Sequence, residues 1–193
     1  MAADHGYDRS ASYWTGPGRG WLAELDLPAS SREIVTDCLA VIDHLAPVIG
    51  RLDGELHQHA KADPRAKTLT TLPGVGECTA LVMLAEIGDI SRFPSARKLA
   101  SWAGLTPTVR GSDLNVRHGH ISKQGSVRLR RALNQAAQTA RRSPDFAASY
   151  AAIARRRGKK IATIAIARKL LTRAYHLLAD MPTTDPATPP RRA

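Results

Sequence analysis

Apolar residues recur at helical spacing along most of the chain, and the first long recurrence follows a helix entry at residues 28–31. Its apolar positions step alternately by three and four residues: Val35, Cys38, Ile42, Leu45, Ile49, Leu52 and Leu56. This seam predicts a helix over residues 31–60 that packs along another helix, either of a second copy or of the same core. Pro47, Gly50 and Gly54 argue against a straight rod, so we expect a kink.

Shorter helical segments follow, each bounded by a capping or breaking residue. The pattern predicts helices over Glu77–Ile87, from the cap Ser95 to residue 104, onward from the cap Ser126, over residues 144–156 and over Lys159–Ala179. Residues 105–125 have no helical period and contain four breakers, which predicts a long loop or an irregular hairpin. The fold class is therefore all-α: a helical domain after a long coiled-coil-like helix, with an irregular loop at 105–125.

The segments suggest four regions. We expect a disordered N-terminus over 1–24, a helical linker or coiled coil over 25–67, a helical domain over 68–180 and a disordered proline-rich tail over 181–193. No run approaches the roughly 18 apolar residues of a membrane span, and no signal peptide is apparent. Cys38 and Cys78 lack metal-ligand spacing, so we expect buried free thiols in a cytoplasmic protein.

A tight turn, Leu72-Pro73-Gly74-Val75-Gly76, stands directly before an apolar helix. This is typical of a helix-hairpin-helix unit, in which glycines allow a phosphate close to the backbone and the helix dipole favours the anion. The motif predicts nucleic-acid contacts at Gly74, Val75 and Gly76. An ordinary turn between two packed helices accounts for these five residues equally well.

Charge is distributed unevenly along the chain. Residues 1–91 hold 7 basic and 13 acidic side chains, whereas residues 92–193 hold 21 basic and 4 acidic ones. A cationic half of this kind favours a polyanionic partner, because phosphate neutralisation releases counterions. Aromatic residues make up only 5% of the chain, which argues against base stacking as the main binding mode. We therefore expect DNA or RNA as the partner.

The order of motifs over about residues 25–180 resembles the insertion sequence one-ten family of transposases, the bridge-RNA-guided serine recombinases. The resemblance rests on PGVG, GDISRFPSARKLASWAGLTP, a serine-containing loop, HISKQGS, LRRAL and RRRGKKIATIAIARKLL at these spacings. It implies DNA transposition, with a guide (bridge) RNA as a second partner. Assembly into a homo-oligomer through the helix at 31–60 is expected from the apolar seam of that helix. The resemblance also implies an N-terminal RuvC-like domain that binds Mg²⁺. The first twenty-odd residues contain nothing like that domain, so we expect this chain to need it from elsewhere.

Ser112 occupies the position that best matches the family's nucleophilic serine, although the usual following glycine is here Asp113. A serine hydroxyl needs a group that takes its proton and cations that stabilise the phosphate as it reacts. Nearby cations and histidines are Arg110, Arg117, His118, His120 and Lys123, and the predicted nucleic-acid contacts continue at Arg128, Arg130 and Arg131. Ser122 and Ser126 are the rival serines, and Ser126 is better explained as a helix cap.

Without the resemblance, Ser112 is better explained as a turn residue that bonds to its own backbone. No metal site is expected in this chain, because the basic half offers few carboxylates and two-metal chemistry needs a cluster of them. A catalytically inactive, truncated transposase that only binds DNA or RNA is therefore an alternative. A base-excision glycosylase with the same turn is a weaker one, since no suitably placed Asp and Lys follow Gly76.

Overall fold

Helices form almost all of the regular structure. The computed structural model describes residues 5–8, 12–14, 16–112 and 115–182, and within these it contains eight α-helices and one pair of strands. The elements are α1 (Gly16–Glu24), α2 (Ala29–Ala62), α3 (Pro64–Thr70), α4 (Glu77–Ile87), α5 (Ala96–Trp102), β1 (Pro107–Ser112), β2 (Asn115–Ile121), α6 (Val127–Ala140), α7 (Pro144–Arg157) and α8 (Lys159–Ala179). The all-α prediction is confirmed.

Residues 1–55 form one unit, in which α1 is bound to the first part of α2. The Arg32 guanidinium donates to the carbonyl oxygens of Leu22, Ala23 and Leu25 at the end of α1. Arg19 of α1 pairs with Asp43 of α2 at 2.6 Å, and this hydrogen bond lowers the pKa of the Asp43 carboxyl. The expectation of disorder over residues 1–24 is therefore wrong for α1, because these contacts with α2 order a segment whose own sequence is a poor helix former.

The long helix α2 runs without a break through Pro47 for 34 residues. Its apolar seam is largely open to solvent: Leu45 is 47% exposed, Ile49 54% and Leu52 45%. Only Ala60, at the end of the helix, is buried along its length. The predicted helix is confirmed, and the described residues do not cover its seam.

Residues 56–193 form the second unit, whose core is built around α8. This helix packs against α3, α5, α6 and α7, and Ile166, Leu170 and Leu171 are completely buried. Local capping sets the ends of its neighbours: Asp63 caps α3, Ser95 caps α5 and Ser126 caps α6, each accepting a backbone N–H bond. The described residues include no helix with the length and apolarity that a membrane crossing needs.

Two expectations from the sequence are wrong, one for residues 105–125 and one for the two cysteines. Most of residues 105–125 form an antiparallel hairpin of β1 and β2. Of the two alternatives for this segment, the long irregular loop is therefore wrong and the irregular hairpin is correct. The two cysteines are free but exposed, not buried. Cys78 lies on the far side of α4 from Ala80, since two residues turn a helix by about 200°. Cys38 lies on the uncovered seam of α2. Residues 183–193 of the expected tail lie outside the described residues.

Candidate nucleic-acid interface

The hairpin of β1 and β2 carries Ser112 at its far end. Ser112 pairs with Asn115, Arg110 with Arg117, and Val109 with His118, while a bulge shifts the register between Pro107 and Val109. Asp113, whose place after the serine departs from the family pattern, lies outside the described residues. The structure thus puts Ser112 at the last backbone pair before the turn.

Register decides which candidate residues share a face with Ser112. Directly paired positions share a face, as do positions two apart on one strand. Positions 110, 112, 115 and 117 therefore lie together, with the two arginine positions directly opposite each other. Position 118 falls on the other face.

Lys123 lies at the opposite end of the hairpin from Ser112. Ile121 pairs with Pro107, five residues before Ser112, which separates the two ends by about 16 Å at ~3.3 Å per residue. Lys123 is exposed, has a positive φ of 56° and donates its backbone N–H to the Gly104 carbonyl oxygen at 3.2 Å. It therefore belongs to the root of the hairpin and contacts a different part of any ligand from Ser112.

The root, formed by residues 103–106 and 122–125, is closely packed. Gly104 has a φ of +72°, and a Cβ atom there would clash with the backbone of Gln124. A Cβ atom on Gly125 would clash in turn with the Trp102 carbonyl oxygen. The Ser122 N–H donates to the Thr106 carbonyl oxygen at 2.9 Å. The two glycines bracket the non-helical stretch in the sequence, where they predict the ends of the helices but not this close packing.

Arg130 of α6 holds the same root. Its Nη1 donates to the carbonyl oxygens of Ala103 at 3.2 Å and of Gln124 and Gly125 at 2.9 Å each. These bonds join α6 to both sides of the root, and the side chain is partly buried. The structure therefore places Arg130, a predicted nucleic-acid contact, in an intramolecular tie that positions the hairpin.

The exposed face of α6 presents the other two predicted arginines. Arg128 is exposed, with Nη1 4.0 Å from the Glu86 carboxylate, and Arg131 is exposed with no side-chain partner among the described residues. Gln135 and Gln138 continue the same face at steps of four and three residues. This face offers guanidinium and amide donors to a polar ligand, while the opposite face of α6 is packed in the core.

The turn between α3 and α4 is held against α6. The Val75 N–H donates to the Leu72 carbonyl oxygen at 3.1 Å, and Gly74 has a φ of +76°. A Cβ atom on Gly74 would clash with the Ala136 carbonyl oxygen and lie 3.0 Å from the Ala140 nitrogen. Gly74 is therefore a packing residue, and its backbone faces the protein's own helix.

The start of α4 is more open than the turn. Gly76 precedes the helix without a side-chain cap, and a Cβ atom there would meet nothing within 4 Å. Glu77 occupies the first turn, and its carboxylate lies 3.0 Å from His57 Nδ1. A carboxylate in the first turn already satisfies the positive end of the helix dipole, so it competes there with a phosphate. Of the three predicted turn residues, Gly76 alone is exposed, since Val75 is buried.

Metal-ligating side chains do not gather near these features. In the part of the chain that the structure describes, no three His, Cys, Asp or Glu residues are grouped so as to hold a metal ion. Two-metal phosphoryl transfer requires clustered carboxylates. The described residues therefore do not fit the magnesium site that the resemblance assigns to a separate domain.

Residues 66–151 match the family described as the Transposase IS116/IS110/IS902 family. The match includes the turn, the hairpin and α6. The curated relatives include an insertion element IS110 uncharacterized 43.6 kDa protein of Streptomyces coelicolor, 33% identical over 131 residues, which cover 67% of this chain and 32% of that protein.

Two further relatives carry names that state an activity. The pilin gene-inverting protein of Moraxella bovis is 36% identical over 145 residues, 71% of this chain and 45% of that protein. The transposase for insertion sequence element IS1111A of Coxiella burnetii is 34% identical over 126 residues, 63% of this chain and 35% of that protein. The chain thus spans less than half the length of these relatives. Because the family match covers both the hairpin and the helices that hold it, the chain belongs to the IS116/IS110/IS902 transposase family.

Proposed function

We propose that this chain is a DNA-binding transposase domain that acts in DNA transposition or recombination and uses Ser112 as its nucleophile. The observation that carries the proposal is the family match over residues 66–151, which includes the whole hairpin. Relatives named as transposases and as a pilin gene-inverting protein support the reaction class. This function would place the chain in the cytoplasm with its DNA.

In the proposed step the Ser112 hydroxyl oxygen attacks a DNA phosphorus. A serine–phosphate ester bond forms, and one deoxyribose oxygen leaves with the electron pair of the broken P–O bond. The serine proton passes to a proton-accepting group, the general base. The phosphodiester count stays constant, so the linkage can be transferred to another strand. Arg110 and Arg117, which share the face of Ser112, are suited to stabilise the charge on the phosphate oxygens during the attack.

The DNA contacts are proposed to extend from the hairpin over α6. Arg128 and Arg131 present exposed guanidinium groups there, and His118 and Lys123 follow along β2 and the root. The exposed backbone at Gly76 is proposed to add a contact at the start of α4, while Gly74 and Val75, whose N–H already bonds to the Leu72 carbonyl oxygen, support that turn from behind. Arg130 is proposed to act indirectly, by fixing the position of the hairpin, because its guanidinium already donates to three carbonyl oxygens.

Two partners complete the proposal. A guide RNA would direct target choice, as the family resemblance implies, and the cationic half offers phosphate contacts for it as well as for DNA. A second copy of the chain is proposed to cover the α2 seam, because Leu45, Ile49 and Leu52 repeat at coiled-coil spacing and remain exposed. The RuvC-like domain and its Mg²⁺ would come with another part of the recombinase.

A purely binding role is the second candidate. It is favoured because the described residues include no cluster of His, Cys, Asp or Glu that could hold a metal ion. It is also favoured because position 118 lies on the face of the hairpin opposite Ser112. In that case the same surfaces would dock on nucleic acid without cutting it.

The test is a covalent trapping experiment with Ser112→Ala and the control Ser122→Ala. Each variant is incubated with labelled DNA and the amino-terminal part of a full-length relative, and protein–DNA adducts are separated under denaturing conditions. We expect the Ser112 variant to lose the adduct and keep its DNA affinity, while the Ser122 variant keeps both. An adduct that persists without Ser112 excludes it as nucleophile, and DNA binding without any adduct from the wild type supports the binding role.

A further inference from the structure

A second cationic surface lies far along the chain from the hairpin, at the junction of α7 and α8. We define it as the basic turn: Arg155, Arg156 and Arg157 at the end of α7, and Lys159 and Lys160 at the start of α8. All five residues are exposed. Within the described chain none of their side chains forms an ion pair or a hydrogen bond.

Two other arginines of the same unit, Arg141 and Arg173, form contacts between helices. Arg141 donates to the Tyr150 hydroxyl at 2.8 Å, and Arg173 pairs with Asp145 at 2.5 Å and lies over the Phe146 ring. These side chains tie α6 to α7 and α7 to α8. The cations of the basic turn make no such contact, so the packing of the helices does not explain why they are there.

The positions of the two lysines are also unfavourable for the isolated protein. Arg155, Arg156 and Arg157 complement the negative end of the α7 dipole, but Lys159 and Lys160 stand at the positive end of the α8 dipole, and the five like charges within six residues repel one another. Gly158 provides no side-chain cap for that end. A polyanion bound at the turn would remove both effects, since it neutralises the cations and complements the dipole.

The surroundings of the turn narrow the choice of polyanion. No acidic residue occurs between Asp145 and Asp180, so no carboxylate of that segment lowers its potential. No aromatic residue occurs over residues 151–174, so this segment itself offers no ring on which unpaired bases could stack. Phosphate contact without stacking is the mode by which proteins grip a duplex backbone.

We propose that the basic turn binds the phosphate backbone of duplex DNA, as a contact separate from the hairpin and α6. The proposal rests on the proposed function, because it assumes that DNA is the ligand. It adds residues beyond the family match, which ends at residue 151. The contact is independent of sequence, because guanidinium and ammonium groups on phosphates carry no base information.

The test compares two double variants of equal charge and residue type. Lys159→Gln/Lys160→Gln alters the basic turn, and Lys61→Gln/Lys67→Gln removes two exposed lysines that line a hollow with Glu77. Affinity for a mixed-sequence DNA duplex is measured by fluorescence anisotropy over a series of salt concentrations. For two lost phosphate contacts, we expect the slope of log K against log salt to shrink by about 1.8 in the first variant. The second should keep the wild-type slope.

A folding effect is separated by thermal melting of the same samples. Removing cations from the start of α8 relieves an unfavourable dipole interaction, so the melting temperature of the Lys159/Lys160 variant should stay equal or rise while its DNA affinity falls. The triple variant Arg155→Gln/Arg156→Gln/Arg157→Gln should reduce the slope by about 2.7 relative to wild type if all three arginines contact phosphate.

The outcomes distinguish this inference from the proposed function. Wild-type protein that binds no duplex at any salt concentration overturns the proposed function itself. Wild-type binding with equal slopes for the two lysine variants overturns only the basic turn. A loss seen with single-stranded RNA or with phosphatidylserine vesicles, but not with duplex DNA, overturns the assignment to a duplex backbone.

Discussion

Gly74→Ala tests whether the turn before α4 is a packing element. The structure gives two costs for the added methyl group: a left-handed backbone at φ +76°, and a clash with α6 at Ala136 and Ala140. The first is worth about 1–2 kcal/mol for a non-glycine residue, and overpacking of this kind typically adds about 1–3 kcal/mol. We therefore expect a loss of about 2–5 kcal/mol, which corresponds to about 4–20 °C in melting temperature for a chain of this size.

Gly76→Ala is the matched control, two residues along the same turn. Gly76 has a φ of −88°, and a Cβ atom there meets open space, so we expect a change within about 0.5 kcal/mol. Urea unfolding followed by far-ultraviolet circular dichroism gives both midpoints, compared at constant m-value. Equal midpoints for the two variants would refute the packing role of Gly74 and return it to the ligand-facing side of the turn.

Three further predictions concern other parts of the chain. Arg130→Met should cost about 1.5–3 kcal/mol in urea unfolding, because three carbonyl oxygens lose a charged donor, whereas Arg131→Met should leave stability unchanged and weaken DNA binding; the reverse pattern would contradict the structure. The Arg65 side chain, and then the backbone N–H bonds at the start of α3, lower the pKa of Asp63. The stabilising effect of the Asp63 carboxylate is therefore complete above the unfolded pKa of about 3.9 and is lost as the pH falls through the lower folded value. In pH-dependent melting, the difference in stability between wild type and Asp63→Ala should close under strong acid. Leu45→Glu/Ile49→Glu should weaken self-association in sedimentation experiments without loss of helix content, and an unchanged mass would argue against pairing through α2.

The helix ends could be predicted because local chemistry determines them. Ser95 and Ser126 are each expected at the start of a helix, and each lies there in the structure, since a capping bond involves only residues within a few positions. Gly74 shows the limit of this approach. Its turn was predicted, but the helix that presses on it lies over sixty residues away in the sequence, and pattern alone does not show that contact.

The hairpin was harder to predict for a related reason. Strand alternation is interrupted by glycines and by the bulge opposite Thr108, which changes the pairing of β2 with β1 by one residue. The register therefore decides that Arg110 and Arg117, but not His118, accompany Ser112. The position of Ser112 as a candidate came from the family resemblance, whereas its neighbours on that face came only from the structure.

The hairpin root also bears on how this domain can change over evolutionary time. Backbone hydrogen bonds and Arg130 hold the root of the hairpin, while described strand residues farther out, such as Val109, are exposed to solvent. The bonds that fix the hairpin lie at its root, so substitutions at exposed strand residues such as Val109 should change the surface offered to a partner with little effect on folding. The surface of the hairpin and the stability of the core can therefore change separately in this protein.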